Sequence, residues 1–406
     1  MGKNAIVGQS GGPTAVINSS LAGVYESCLA CGAETVYGMR FGVEGLLKKK
    51  VVDLSTVLPT SMEVELLKRT PSSFLGSCRY KLPDWQTEPA VYEKLFEILK
   101  ELDIGWFFYI GGNDSMDTIC KLAGYGASVN SDIRFMGVPK TIDNDLIGTD
   151  HTPGYGSAAK YISSVIKEVV RDSLVYDIKS VTIVEIMGRN AGWLAASAAL
   201  AKGDDCEGAD LIYLPEVPFD VDAFVEKVRA LQEVKPSIVI AVSEGVKLAD
   251  GRYVCELTAD DRAVDVFGHT MLTGTGRVLA DLLNHRLGTK ARAIELSTLQ
   301  RCASHLASGT DINEAYQAGG AAVHAAAAGH TGEVVGLKRI SEKPYLCGTE
   351  LLPIEQVANL EKKVPLEWIT EDGTQMSDEF LAYARPLVQT ELPAMYIDGT
   401  PRHIHL

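Results

Sequence analysis

Six short apolar runs punctuate the chain, each closed by glycine or by polar turn residues. They are NAIVG (4–8), GWFFYIGG (105–112), IRFMGVP (133–139), SVTIVEIMG (180–188), ADLIYLPE (209–216) and SIVIAVSEG (237–245). Runs that stay apolar instead of alternating belong to strands covered on both faces, and the helical patterns between them predict parallel sheets. The expected fold is α/β: two Rossmann-like domains with mainly parallel sheets and the active site in the cleft between them. In such sheets ligands gather at the carboxyl ends of the strands, where these runs break into glycines and polar residues.

The first domain is expected over about residues 1–150, completed by about 300–345, and the second over 151–300. GHTMLTGTGRVLADLLNHRLG (268–288) interrupts the strand rhythm and suggests a peripheral helical insertion at about 251–290. The Ala-rich stretch EAYQAGGAAVHAAAAGH (314–330) predicts a tightly packed helix, with Gly319 and Gly320 allowing a close approach. Residues 346–406 form a proline-dotted C-terminal extension.

Composition narrows the function classes. The 406 residues are 46% apolar and 22% charged, as in ordinary globular proteins. No apolar run approaches the roughly 20 residues of a membrane helix. MGKNAIVGQSGG enters a strand and a glycine turn directly, with no signal-peptide pattern, so a cytoplasmic location is expected. A net charge of −15 argues against nucleic acid or an anionic membrane as partner. Phosphorylated substrates would need positive charge focused locally. Only Cys28 and Cys31 of the eight cysteines form a CxxC, and reduced thiols are expected. The eight histidines show no metal-ligand spacing.

The chemistry lies at the strand ends. In VGQSGGPTAVINSSLAG (7–23) a strand runs into Ser10-Gly11-Gly12-Pro13-Thr14 and a helix is expected to start near Ala15. Such a turn favours phosphate through free N–H groups and the helix dipole. GGNDS (111–115) is a second turn of this kind; Asn113 and Asp114 offer oxygen to magnesium, while Asp114 is equally suited to capping the next helix. VPKTIDNDL (138–146) sets Lys140 and Thr141 beside two carboxylates, Asp143 and Asp145. A base for a hydroxyl next to a counter-charge for a migrating phosphoryl group is what transfer to an alcohol needs. EIMGRNAGWLA (185–195) offers Arg189 as a bidentate phosphate ligand, and VSEG (242–245) offers Glu244 to sugar hydroxyls. RAIELSTLQR (292–301) is bracketed by Arg292 and Arg301.

SGG, FLGSCR, GGNDS, PKTIDND, MGR, SEG and RAIELSTLQR, in this order over about residues 4–340, resemble the phosphofructokinase family. The resemblance implies phosphoryl transfer to the 1-hydroxyl of fructose 6-phosphate, from ATP or from inorganic pyrophosphate. It implies that Asp143 is the general base, with Thr141, Ile142 and Asp145 beside it. Gly11 and Arg79 would meet the donor phosphates, and Asn113 and Asp145 would stand on the side of a magnesium ion. Met187, Gly188, Arg189 and Glu244 would meet the sugar, and Arg189 would also steady the transferring phosphoryl group. Arg292 and Arg301 would bind the 6-phosphate, the first reaching in from a neighbouring subunit, which implies a homo-oligomer, with a dimer favoured over a tetramer.

ATP-using members have glycine where this chain has Asp114 and Lys140. The acid would exclude the rest of a nucleotide by bulk and charge, and the lysine would neutralise pyrophosphate, so the resemblance points to the pyrophosphate-dependent branch. The alternatives are an ATP-dependent kinase of the same fold and a non-catalytic sugar-phosphate-binding subunit. Three positions depart from the family pattern: Asn113 stands where many relatives have Asp, Thr298 where bacterial ATP-type members have His, and Ala22 and Glu26 where allosteric members carry arginines. Little control by nucleotide effectors is expected.

Overall fold

The computed structural model describes residues 2–258 and 274–406. Two sheets organise the chain. The first is built from β1 (Asn4–Gln9), β2 (Val36–Met39), β3 (Val51–Asp53), β4 (Ile104–Gly111) and β5 (Arg134–Pro139). The second follows, with β6 (Ser180–Ile186), β7 (Leu211–Tyr213), β8 (Ser237–Ser243) and β9 (Lys290–Glu295). The chain then returns to the first sheet through β10 (Glu333–Glu342) and β11 (Tyr345–Pro353). The strand orders are β11-β10-β5-β4-β1-β2-β3 and β7-β8-β6-β9. Every pair within these two sheets is parallel except β2–β3 and β10–β11. All six apolar runs read from the sequence are strands, and the fold is α/β as expected.

Alternate residues of the central strands serve different cores, which is why these runs are apolar throughout. Ala5, Val7, Phe108 and Ile110 pack on one side, with Ile17, Leu21 and Ala318 from covering helices. Ile6, Phe107 and Tyr109 pack on the other, with Ile119 and Leu122. The Ala-rich stretch lies in the helix Gly309–Ala327, which crosses the helix Ile17–Ala30 at very short range. A Cβ on Gly319 would sit 2.2 Å from the Ser20 carbonyl oxygen, so this crossing requires glycine. Ala22 is wholly buried there, and Glu26 accepts a hydrogen bond from Tyr316 at 2.8 Å. The packing of the two helices thus occupies both of these positions.

One region differs from the sequence expectation, and a second acquires a role that the sequence did not indicate. The helix Thr275–Leu287, part of the expected peripheral insertion, packs on the second sheet, because Leu279 and Leu283 join Val181, Ile183 and Ile238 in its core. Residues 259–273 of that insertion lie outside the described residues. The C-terminal extension begins inside β11, and its Val364, Ile369, Phe380 and Leu387 are buried in one core with Tyr155, Trp193 and Ile212. It is a structural part of the molecule. Among the described residues no helix is long and apolar enough to cross a membrane.

Candidate active site

In the first sheet the strand order reverses between β1 and β4, the kind of switch point at which open α/β sheets bind ligands. Loops after β1, β4, β5, β6 and β8 border one cavity of about 380 Å³. The cavity brings together Gly11, Arg79, Asn113, Asp114, Lys140, Thr141, Ile142, Asp143, Asp145, Met187, Arg189, Glu244 and Arg301. Residues separated by 290 positions in sequence therefore face one space.

The turn after β1 is held at φ +74° at Gly11, a backbone state that favours glycine. The Gly11 amide donates to the Cys78 carbonyl at 3.2 Å, and the Ser77 hydroxyl donates to the Gly11 carbonyl at 2.7 Å. These bonds bring Arg79 to the turn. A Cβ on Gly12 would lie 3.2 Å from Nη1 of Arg301, so that guanidinium also stands over the turn. The following helix starts at Ile17, two residues later than expected.

After β4, the helix Asn113–Ser128 opens with Gly112 as its N-cap and no side-chain capping bond. Asp114 sits inside the first turn and lines the cavity, so the capping role allowed by the sequence is not the one it takes. Asn113 Oδ1 is buried without a hydrogen-bond partner. An orphaned carbonyl-type oxygen beside carboxylates suits a hard cation, which prefers oxygen ligands.

The loop after β5 concentrates the charge. The Lys140 amide donates to the Gly111 carbonyl at 3.0 Å and its ammonium donates to the Gly12 carbonyl, so one residue spans both glycine turns. Burial pushes the Lys140 ammonium down to about 8. Asp143 and Asp145 oppose that shift, while Arg301 and Arg79 reinforce it. Asp143 is raised well above the usual carboxylate range by burial and then by Asp145, with Lys140 pulling the other way. Asn144 turns the loop at φ +55°, which asparagine tolerates. Its side chain is fixed by Thr152 N–H at 3.0 Å and by Tyr383 OH at 2.8 Å.

On the opposite side, the Gly188 amide donates to Glu244 at 3.3 Å and the Met187 amide to Gln300 at 3.2 Å. Burial pushes Glu244 up to about 7; the Gly188 N–H opposes this and Asp143 adds to it. Arg189 Nε is buried without a partner. Gly188 stands just behind the cavity wall. Arg292 lies elsewhere, on the edge strand β9, donating to Thr182 at 3.1 Å and pairing with Asp172 at 3.5 Å. Thr298 does not line the cavity.

The cavity also includes Ser10 of the first glycine turn, and Cys78, Tyr80, Lys81, Asn190 and Glu361, which sequence reasoning did not single out. Cys78 and Asn190 lie within the FLGSCR and EIMGRNAGWLA stretches, and Tyr80 and Lys81 are the two residues after Arg79. Glu361 had no signal, because it arrives through the packing of the C-terminal extension.

The phosphofructokinase family model matches residues 4–326. The pyrophosphate–fructose 6-phosphate 1-phosphotransferase of Methylococcus capsulatus is 39% identical over 408 residues, covering 100% of this chain and 96% of its own. The protein of that name from Halomonas elongata is 38% identical over 98% of this chain and 95% of its own. The crystal structure of the pyrophosphate-dependent phosphofructokinase of Nitrosospira multiformis superposes with a TM-score of 0.88 at 38% identity, covering 99% of this chain and 96% of that one. With its fold, its strand-end motifs and its full-length relatives in agreement, the chain belongs to the phosphofructokinase family.

Proposed function

We propose that the protein transfers a phosphoryl group reversibly from inorganic pyrophosphate to the 1-hydroxyl of fructose 6-phosphate, giving fructose 1,6-bisphosphate and phosphate. One observation carries the choice of donor: Lys140 is buried against the Gly12 carbonyl while Asp114 faces the same cavity. The ammonium can neutralise a compact diphosphate. The carboxylate stands against the further phosphate and ribose of a nucleotide, an obstacle that gives selectivity by repulsion.

In the reaction, the sugar O1 attacks one phosphorus of pyrophosphate in line. The bond from that phosphorus to the bridging oxygen breaks, and phosphate leaves. Asp143 accepts the hydroxyl proton, and its raised proton affinity equips it for that task. Arg79 and Lys140 hold the donor, Arg189 stabilises charge on the shifting group, and Arg301 binds the 6-phosphate; such preorganised charge is the main catalytic resource in phosphoryl transfer. Met187, Gly188 and Glu244 orient the sugar ring, and Glu244 is already bonded to the Gly188 N–H. Asn113 Oδ1 and Asp145 fit a magnesium ion, which when bound would neutralise part of the diphosphate charge.

Arg292 faces away from its own chain's cavity. Its placement on an edge strand supports a homo-oligomer, with a dimer favoured, in which it reaches the 6-phosphate bound by a neighbouring subunit. Purified protein mixed with pyrophosphate, fructose 6-phosphate and magnesium should convert the ³¹P resonance of pyrophosphate into those of phosphate and a sugar bisphosphate. Persistence of the pyrophosphate signal would refute the reading.

A further inference from the structure

The segment Glu361–Val364 lies past residue 326, where the family match ends, yet it is laced between the two loops that carry the candidate chemistry. The Lys362 amide donates to the Asp145 carbonyl at 2.7 Å. Its ammonium donates to the carbonyls of Thr149 at 3.1 Å and Asp150 at 2.8 Å. All three acceptors belong to the loop after β5. On the other side, the Lys362 carbonyl accepts from Trp193 Nε1 at 3.0 Å, and the ammonium lies 5.2 Å from the centre of that indole ring. Two residues on, the Val364 amide donates to Glu216 at 3.0 Å, and the same carboxylate oxygen accepts from Gly192 at 2.8 Å. Gly192 and Trp193 continue the turn that presents Met187–Arg189.

We propose that Lys362 is a positioning residue for phosphoryl transfer: it locks the Asp143–Asp145 loop to the Met187–Trp193 loop, so that the base and Arg189 address one phosphoryl group. The inference rests on the phosphotransferase reading above. An apolar side chain at this position would cover the same surface but leave the Thr149 carbonyl without its ammonium donor, and a buried unpaired acceptor is costly. Three carbonyls and one indole are therefore gathered on a single residue. Lys362 itself does not line the cavity; it acts through the loops. Small errors in relative placement are enough to matter, because a misplacement of about 1 Å can cost about 100-fold in rate.

The test is Lys362→Met, with Lys362→Arg as the conservative counterpart. In Lys362→Met, kcat should fall about 100-fold in both directions, while KM for fructose 6-phosphate and for pyrophosphate stays within about threefold. Amide hydrogen exchange should accelerate in residues 141–152 and 187–193 and stay unchanged in β1, β2 and β8. Lys362→Arg should recover part of kcat. Unchanged kcat beside an active wild type would overturn the inference and leave the reading intact, as would exchange accelerated evenly throughout the chain. A wild type that transfers from no donor would overturn the reading, and the inference with it. Should Lys362→Met fail to fold, Trp193→Phe removes only the indole donor, and it should still lower kcat about tenfold; an unaltered kcat there would equally overturn the inference.

Discussion

The buried ammonium of Lys140 donates a hydrogen bond to the carbonyl oxygen of Gly12. That bond joins the glycine turn after β1 to the carboxylate loop after β5, and it aims a cation at the space between them. Replacing Lys140 with Met keeps the length and removes the charge. The expected result is a loss of about 10²–10³ in kcat/KM for pyrophosphate, in line with the removal of one preorganised charged donor. Affinity for fructose 6-phosphate, measured by calorimetry, should change little.

Asp143 is the proposed base. Asp143→Ser should reduce turnover by about 10²–10⁴, the range of general acid–base contributions, and leave fructose 6-phosphate binding nearly intact. Its raised proton affinity places the acid limb of the forward kcat/KM profile above the ordinary carboxylate range. Steady-state rates across pH check both points.

Glu244 is pushed up to about 7 by burial. Its ionised form is the better acceptor for sugar hydroxyls, so KM for fructose 6-phosphate should rise as pH falls below about 7. Glu244→Gln cannot ionise. It should raise KM at alkaline pH and remove this pH dependence.

A second titrating group bears on stability. Burial alone would lower His151, but its hydrogen bonds to Asp150 at 2.8 Å and Glu314 at 2.6 Å outweigh burial and raise it. Protonated His151 therefore contributes stability that is fully present below about pH 6.5 and is lost as pH rises through its higher folded value. Glu314→Gln should cost about 3 kcal/mol below pH 6.5 and less above it, since breaking a buried pair strands a charge. Denaturant titrations at several pH values measure the difference.

Strands that serve two cores are continuous apolar runs, so β1, β4, β5, β6, β7 and β8 are legible in the sequence. β2, β3 and β9 are not: β2 and β3 are short, and β9 is a partly exposed edge strand in which Lys290, Arg292 and Glu295 break the apolar pattern. The β10–β11 hairpin was also missed, because its outer half alternates between exposed and half-buried positions and lacks an apolar signature. The site was legible wherever a strand end carried its own chemistry, as in Lys140–Asp145. It was opaque where the chemistry depends on distant packing. Nothing in EKKVP (361–365) indicates that Glu361 will border the cavity or that Lys362 will brace Asp145, since both follow from the burial of Phe380 and Leu387 against the second core. Asp114 shows the opposite case: its local sequence suited a cap, yet the helix starts on Gly112 and leaves the carboxylate facing the cavity.

The central claim is that Asp114 and Lys140 select a diphosphate over a nucleotide, and the most direct measurement is kcat/KM for fructose 6-phosphate phosphorylation with pyrophosphate and with ATP, magnesium present. Wild type should favour pyrophosphate by about 10³ or more, the scale that one excluding charge and one matched cation can supply together. Asp114→Gly should narrow the ratio by admitting ATP. A wild type that prefers ATP, or an Asp114→Gly variant with an unchanged ratio, would contradict the account.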